Sequence, residues 1–473
     1  MEAAALEPIP ELAARRARSA PAAIRLACTI AVCAAALAYW KVGTHHIAKV
    51  YPDFEYFYKG GAWLYQHGAL DAGYDRPAPG RQLEPRGTIE WYWPVVSRLM
   101  TLLAWRPYDQ AGVLWVTANV VILVMTLRLV GRRLLGLPPE DWAVTTLVPL
   151  LTLTMFWYWE FKLNQIDNLT LLLLVGSFAC WQAGRRGIAG FWLGLAVLLK
   201  ITPGLLVIWF LLKRQFRTVA VAGLTILLAG PAGDLIVFGP ERTADFYAGW
   251  LHTAATQSSH RGLVLEQREM DWRNQGLGAI LSRWLHATNW NTHFDNEPRA
   301  QDEREPSFMN VVNLPAPRVA QIATAATACI AAGLCILARR PAARLSAWQL
   351  RFEFALFLLA MLWLMPVMRR YHIIWALPAI ALLGAGIHHL GLRRAWSWLA
   401  LGAIGLLVLA QPLLALQHAI GRHELEAAGA LQLCVMLLGL PLIFLIRSLA
   451  AGRDPHVWAI GRAGEEDAPR GSS

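Results

Sequence analysis

The chain has 473 residues, of which 56% are hydrophobic and only 16% charged, and it carries 22 tryptophans. Globular domains average about a quarter charged residues, so this composition excludes a string of soluble domains and points to an all-α polytopic membrane protein. The formal charge of +11 does not indicate nucleic acid, because no basic run interleaved with aromatics forms a soluble patch; most of the excess falls in short loops between apolar stretches.

A bilayer core takes about 20 apolar residues as helix. Arg15, Arg16 and Arg18 precede the first apolar run, whose Ala36-Leu37-Ala38 resembles a signal-peptide cleavage site. The length of the run and the spans behind it favour a retained signal-anchor helix. Candidate spans are 22–40, 110–130, 142–160, 165–183, 218–238, 317–338, 348–366, 371–389, 394–416 and 427–448. The basic clusters between them (residues 15–25, 128–133, 185–186, 213–217, 339–351, 393–394 and 447 onward) are assigned to the cytoplasm by the positive-inside rule. The six cysteines all lie in apolar segments without metal-type spacing, so neither disulfides nor zinc are expected.

Residues 187–212 break this pattern. Basic clusters at both ends place both ends in the cytoplasm, so the segment crosses an even number of times, yet each half is only about 20 Å long as helix. The expectation is a helical hairpin with its tip at Lys200-Ile201-Thr202-Pro203-Gly204; a single Pro-kinked helix would instead violate the charge rule in every later loop. The total is about twelve membrane helices with both termini cytoplasmic. The expected organisation is a cytoplasmic N-terminal segment (1–21), a membrane domain (22–449) and a disordered cytoplasmic tail (450–473). Extracytoplasmic loops fall at 41–109 and 239–316, the first carrying a short interfacial helix after Trp93-Pro94.

With the sides assigned, the unusual polar groups share the extracytoplasmic face. Asp53 and Glu55 follow the first span among aromatics that include Tyr58; Glu160, Gln165, Asp167 and Asn168 occupy the next turn; Lys200 tops the hairpin; Arg369, Arg370 and His372 join two late spans. An arginine pair in a short external loop opposes the charge rule. It either snorkels to lipid phosphates or clamps a substrate phosphate, for which guanidinium geometry is suited. No nucleotide-binding loop, zinc-protease motif or serine-nucleophile elbow is present. An enzyme built from these parts takes an activated substrate from the membrane.

Several pieces, in order, resemble one family: Asp53-Phe54 with Tyr58, then Gly68 and Tyr74-Asp75; Asn164-Gln165-Ile166-Asp167-Asn168; Gly190 through Gly194-Leu195 to Lys200-Ile201-Thr202-Pro203; Asn274-Gln275; and Pro366 with His372 ahead of Leu377-Pro378. This set is similar to glycosyltransferase family 87, the polyprenol-phosphate-mannose-dependent mannosyltransferases of the GT-C superfamily. The resemblance implies a GT-C-type fold and transfer of a hexose, mannose in the family, with inversion. The donor would be a polyprenyl-phosphate-linked sugar and the acceptor an extracytoplasmic glycolipid or glycan hydroxyl. It implies no cofactor and no obligatory metal, and a catalytic acid that maps onto Asp53. Arg369, Arg370, His372 and Lys200 are then expected to bind the donor phosphate, and Glu55, Tyr58, Gln165, Asn168, Asn274 and Gln275 the substrates. Tyr92-Trp93-Pro94 and Arg370-Tyr371 depart from the family pattern of Tyr-Pro-Pro and Ser-Trp, so the pockets differ there. The expected location is the inner (plasma) membrane. A transporter or flippase of a lipid-linked or anionic solute, or a non-catalytic polyprenyl-lipid-binding subunit, are the alternatives from other classes; the transporter predicts inverted repeats, which the sequence does not display.

Overall fold

The structure is a computed structural model that describes residues 20–47, 53–67, 94–136, 139–256, 259–267, 269–291, 306–390, 395–419 and 422–450. Most of the segments expected at 1–21 and 450–473, together with Gly68, Tyr74, Asp75, Tyr92, Trp93, Arg393 and Arg394, lie outside these residues. Among the described residues there are helices and no strand.

Helix α1 (Ala22–Ile47) is followed by α2 (Asp53–His67) and α3 (Pro94–Ala104). The helix foreseen after Trp93-Pro94 thus forms, and it lies against α2. At Gly61 of α2 a Cβ would come within 2.5 Å of the Met100 Cβ of α3, so only glycine lets the two backbones approach this closely. The chain continues through α4 (Tyr108–Leu129), which ends in a π-helical turn, α5 (Trp142–Thr152), α6 (Thr154–Leu163) and α7 (Asp167–Gln182). Next come α8 (Arg186–Leu199), α9 (Gly204–Leu212), α10 (Phe216–Leu227) and α11 (Gly233–Phe238). The loop segment holds α12 (Pro240–Thr256), α13 (His260–Glu266) and α14 (Leu277–Leu285). The remainder is α15 (Ala316–Leu337), α16 (Ala347–Leu364), a 3₁₀ turn (Arg370–Ala376), α17 (Leu377–Leu390), α18 (Ala395–Ala419), the short α19 (Glu424–Ala427) and α20 (Ala430–Ala450).

Among the described residues, eight helices are long and apolar enough to cross a bilayer, and α5 with α6 makes a ninth, broken span bent by 79°. Of the twelve expected helices, the other three are the 16-residue α7, the 14-residue α8 and the 9-residue α9. Of these short helices α7 is buried along nearly its whole length, whereas α8 and α9 each bury one face and expose apolar side chains such as Phe191 and Ile208 on the other.

The expected third span differs from a straight helix. Pro149 lies inside α5, and the backbone breaks at Leu153. A break in an apolar setting frees polar backbone groups, which must find partners there. One side chain supplies both: Gln411 of α18 donates to Thr152 O (2.6 Å) and accepts from Met155 N (2.9 Å). The break turns α6 away from the line of α5 and carries Trp159 and Glu160 toward the 3₁₀ turn.

The hairpin forms as two helices meeting at 200–203. Thr218 Oγ1 donates to Arg186 O (3.2 Å), which sets the starts of α8 and α10 at one end of the molecule. Gly190 faces Thr218 and Ala222, and Gly194 faces Ala222 and Thr225, so α8 and α10 run side by side in the same direction. Therefore α9 returns to the end from which α8 set out, and the segment crosses an even number of times, as the charges require. A buried ion pair between Lys213 and Glu353 closes that end, with Lys213 Nζ also donating to Ala338 O (2.7 Å).

Candidate functional site

The turn between α6 and α7 builds one wall. Asn164 caps α6 in the left-handed conformation (φ 52°), which asparagine adopts more readily than other residues with a Cβ. Its carbonyl accepts from Trp115 Nε1 (3.1 Å) and its amide donates to Gly43 O (3.3 Å), fixing the turn to α4 and α1. Glu160 Oε1 accepts from the Asn168 amide (2.9 Å), and the Asn168 side chain donates to Asn119 O (2.6 Å). Two side chains are thereby aimed out of the turn. Gln165 donates to Asp53 Oδ2, and Asp167 Oδ2 accepts from Lys200 Nζ (2.6 Å).

Lys200 stands at the hairpin tip on extended backbone. Besides Asp167, its Nζ lies 2.9 Å from His372 Nε2. His372 is oriented by a reciprocal pair: Arg369 N donates to His372 Nδ1 (2.9 Å), and His372 N donates to Arg369 O (3.1 Å). Arg369 then pairs with Glu269 through one terminal nitrogen and with Asp271 Oδ1 through the other (3.2 Å). Asp167, Lys200, His372 and Arg369 form a continuous polar chain across three segments remote in sequence.

Arg370 faces elsewhere. Its Nε and one terminal nitrogen take both oxygens of Glu426 in α19. Its guanidinium lies 4.9 Å from the Trp159 ring centroid and 5.1 Å from that of Trp272, and Trp272 stacks on His423 at 3.7 Å. Burial pushes the Glu426 carboxyl up and Arg370 pulls it back. The adjacent arginines, expected as one clamp, are thus partnered separately.

The segment 269–276 forms the opposite wall. Asn274 donates to Glu269 O (2.9 Å) and Pro366 O (3.3 Å), and accepts from Gly276 N (2.8 Å) and Met368 N (3.0 Å). Gln275 donates to Trp272 O and Glu426 O, both at 2.8 Å. These two residues hold the 269–276 segment against 366–368 and α19. Beneath them Arg283, fully buried, donates to the carbonyls of Ala427 (2.7 Å), Met270 (3.2 Å), Asp271 (2.7 Å) and Asn274 (2.9 Å); burial pulls its pKa down to about 10. On α2, Glu55 pairs with Lys59 (2.5 Å) and Tyr58 donates to Arg106 O (2.7 Å) beside Phe54 and Tyr108.

Asp53 sits where these walls meet. It is partly exposed, so solvent or substrate has access, while the protein packed around it raises its pKa from 3.8 to about 6. Burial is the largest cause; Lys200, Arg369, Arg273 and the Gln165 hydrogen bond act in the opposite direction. The structure therefore brings Asp53, Gln165, Lys200, His372 and Arg369 together. Glu55, Tyr58, Asn168, Asn274, Gln275 and Arg370 instead make the fixed contacts described above. The sequence reading omitted Arg273, Asp271, Glu269, Arg283 and Glu426. The run Trp272-Arg273-Asn274-Gln275 carries the one local signal, a cation beside two amides.

Such a fold and site define a multi-pass membrane protein with a carboxylate near neutrality set among lysine and arginine. The glycosyltransferase family 87 profile matches residues 91–366, more than half of the chain, and the protein belongs to that family. It is a membrane glycosyltransferase. No curated protein and no solved structure matches the chain. The match covers the Glu160–Asn168 turn, Lys200 and the 269–276 segment; Asp53, Arg369 and Glu426 lie outside it.

Proposed function

We propose that this protein moves a hexose, mannose, from a polyprenyl-phosphate-linked donor to the hydroxyl of an extracytoplasmic glycolipid or glycan, with inversion. The observation that carries this reading is Asp53, partly exposed and near Lys200 and Arg369, with a pKa of about 6. A base works best when its pKa lies near the working pH, and base catalysis contributes about 10² to 10⁴ in rate.

In the proposed reaction Asp53 accepts the proton of the acceptor hydroxyl as its oxygen bonds to the anomeric carbon. The bond from that carbon to the phosphate oxygen breaks, and its electron pair leaves with the polyprenyl phosphate. The phosphate gains one negative charge and the proton leaves Asp53 to water. A single displacement inverts the anomeric centre. The leaving group needs positive charge rather than a proton, and Lys200 and Arg369 supply it, while His372, whose Nδ1 accepts from Arg369 N, stands between them as a neutral hydrogen-bonding ring; groups aimed at developing charge are worth several kcal/mol of barrier. Gln165 holds the carboxylate in place. Arg370, already committed to Glu426, acts by holding the 369–372 turn, as Asn274 and Gln275 hold the facing loop.

The basic loops support a topology with both termini cytoplasmic and the site on the extracytoplasmic side of the plasma membrane. Because cations are already at the site, we propose that transfer requires no added metal. The reading is tested by mass spectrometry of envelope glycolipids from a deletion strain and its complemented parent. Loss of one hexose from a defined glycolipid or glycan, restored on complementation, is expected; an unchanged profile overturns the reading.

A further inference from the structure

Four arginines gather around the 269–276 segment, and three are committed. Arg283 is fully buried on backbone carbonyls, Arg370 is bound by both oxygens of Glu426, and Arg369 has Glu269 and Asp271 on its terminal nitrogens. Arg273 differs. Its side chain is 36% exposed, against 15% for Arg369, and its polar contacts among the described residues are all to Asp271, through Nε (3.1 Å) and one terminal nitrogen (3.4 Å). The other terminal nitrogen has no partner there. Arg273 is also one of the cations whose field reaches Asp53.

The placement of Asp271 adds a second observation. Its Oδ1 lies 3.1 Å from Arg273 Nε and 3.2 Å from an Arg369 terminal nitrogen. A single anionic oxygen thus bridges the two guanidinium groups, so the pair stands at the spacing that one phosphate oxygen spans. Planar guanidinium groups suit phosphate recognition, especially where two can act on one group.

We propose that Arg273, and not Arg370, completes the donor-phosphate site with Lys200, beside the Arg369 guanidinium to which Asp271 ties it, its open nitrogen receiving the charge that passes to the polyprenyl phosphate as the sugar departs. This rests on the proposed lipid-phosphate donor. It makes Arg273 a catalytic residue whose loss weakens phosphate recognition and slows transfer, without loosening the fold, because its polar contacts stay within its own loop.

The test uses the full chain in nanodiscs, with undecaprenyl monophosphate and undecaprenol as paired probes. Wild type is expected to prefer the phosphate, and Arg273→Gln to lose at least about tenfold of that preference, with Arg273→Lys intermediate because it keeps charge but not the planar fork. Thermal stability of the variants is expected to match wild type. If wild type shows no preference for the phosphate, the donor reading itself fails. If wild type discriminates and Arg273→Gln discriminates equally, with an unchanged transfer rate, the assignment of Arg273 is overturned. Should the glutamine variant not fold, Arg273→Lys is judged on the same readouts: wild-type discrimination and rate overturn the assignment, and a partial loss supports it.

Discussion

Replacing Asp53 with asparagine is expected to pull stability and activity in opposite directions. The folded protein holds this carboxyl at a pKa of about 6, against an ordinary value of 3.8. Between those values the folded state binds more protons than the unfolded one, so this group's contribution is greatest below pH 4 and is lost as pH rises through 6. The difference of about 2.2 units, at about 1.36 kcal/mol each, amounts to at most ~3 kcal/mol at pH 8, reduced because Asp53 is partly exposed. Asparagine cannot ionise and removes that burden, less the strength of one hydrogen bond from Gln165. Purified Asp53→Asn protein should therefore melt higher than wild type at pH 8, with the advantage shrinking at pH 5, while transfer falls by about 10² to 10⁴. A variant that melts at or below wild type at pH 8, with the same pH slope, would refute the assigned environment of Asp53. Wild-type kcat/KM should rise about tenfold per pH unit below 6 and level off above it, since only the ionised carboxylate accepts a proton.

Other outcomes follow from the same contacts. Arg370→Gln should lose about 3 to 5 kcal/mol of stability by leaving Glu426 buried and unpaired, and adding Glu426→Gln should recover much of it; additive losses in thermal melts would contradict a coupled pair. Gln411→Leu leaves Thr152 O and Met155 N without partners at the bend and should destabilise by about 1 to 3 kcal/mol for each group, read by denaturation in detergent. Gly61→Ala forces α2 and α3 apart and should reduce transfer by displacing Asp53, at a stability cost of about 1 to 3 kcal/mol. Retained wild-type turnover would mean that this helix contact does not position the acid. Transfer should survive EDTA, and its complete loss, restored by a divalent ion, would contradict the cation-based account.

What the sequence revealed depended on the range over which the signal acts. The long spans were visible because length and hydropathy are local, and the 187–212 hairpin because charge at its two ends constrains everything between. The bend at Leu153 was not visible. Pro149 is unremarkable in an apolar run, and its compensating partner, Gln411, lies 256 residues from Met155. The convergence on Asp53 could be anticipated from sidedness alone, but partners could not. Arg370 looks like a free cation in the sequence because its partner Glu426, in a four-residue helix just before the last expected span, lies 56 residues away. Asn274 and Gln275 looked like substrate contacts, yet an amide that binds carbonyls and one that binds sugar have the same sequence signature.

The most direct measurement supplies purified protein in liposomes with a polyprenyl phosphate hexose labelled in the sugar, together with an envelope glycolipid extract. Released polyprenyl phosphate and labelled acceptor are then counted. The account predicts that both appear one for one with wild type, and that neither accumulates with a folded Asp53→Asn variant. Wild-type turnover by that variant, or label remaining on the carrier in the presence of active wild-type protein, would contradict it.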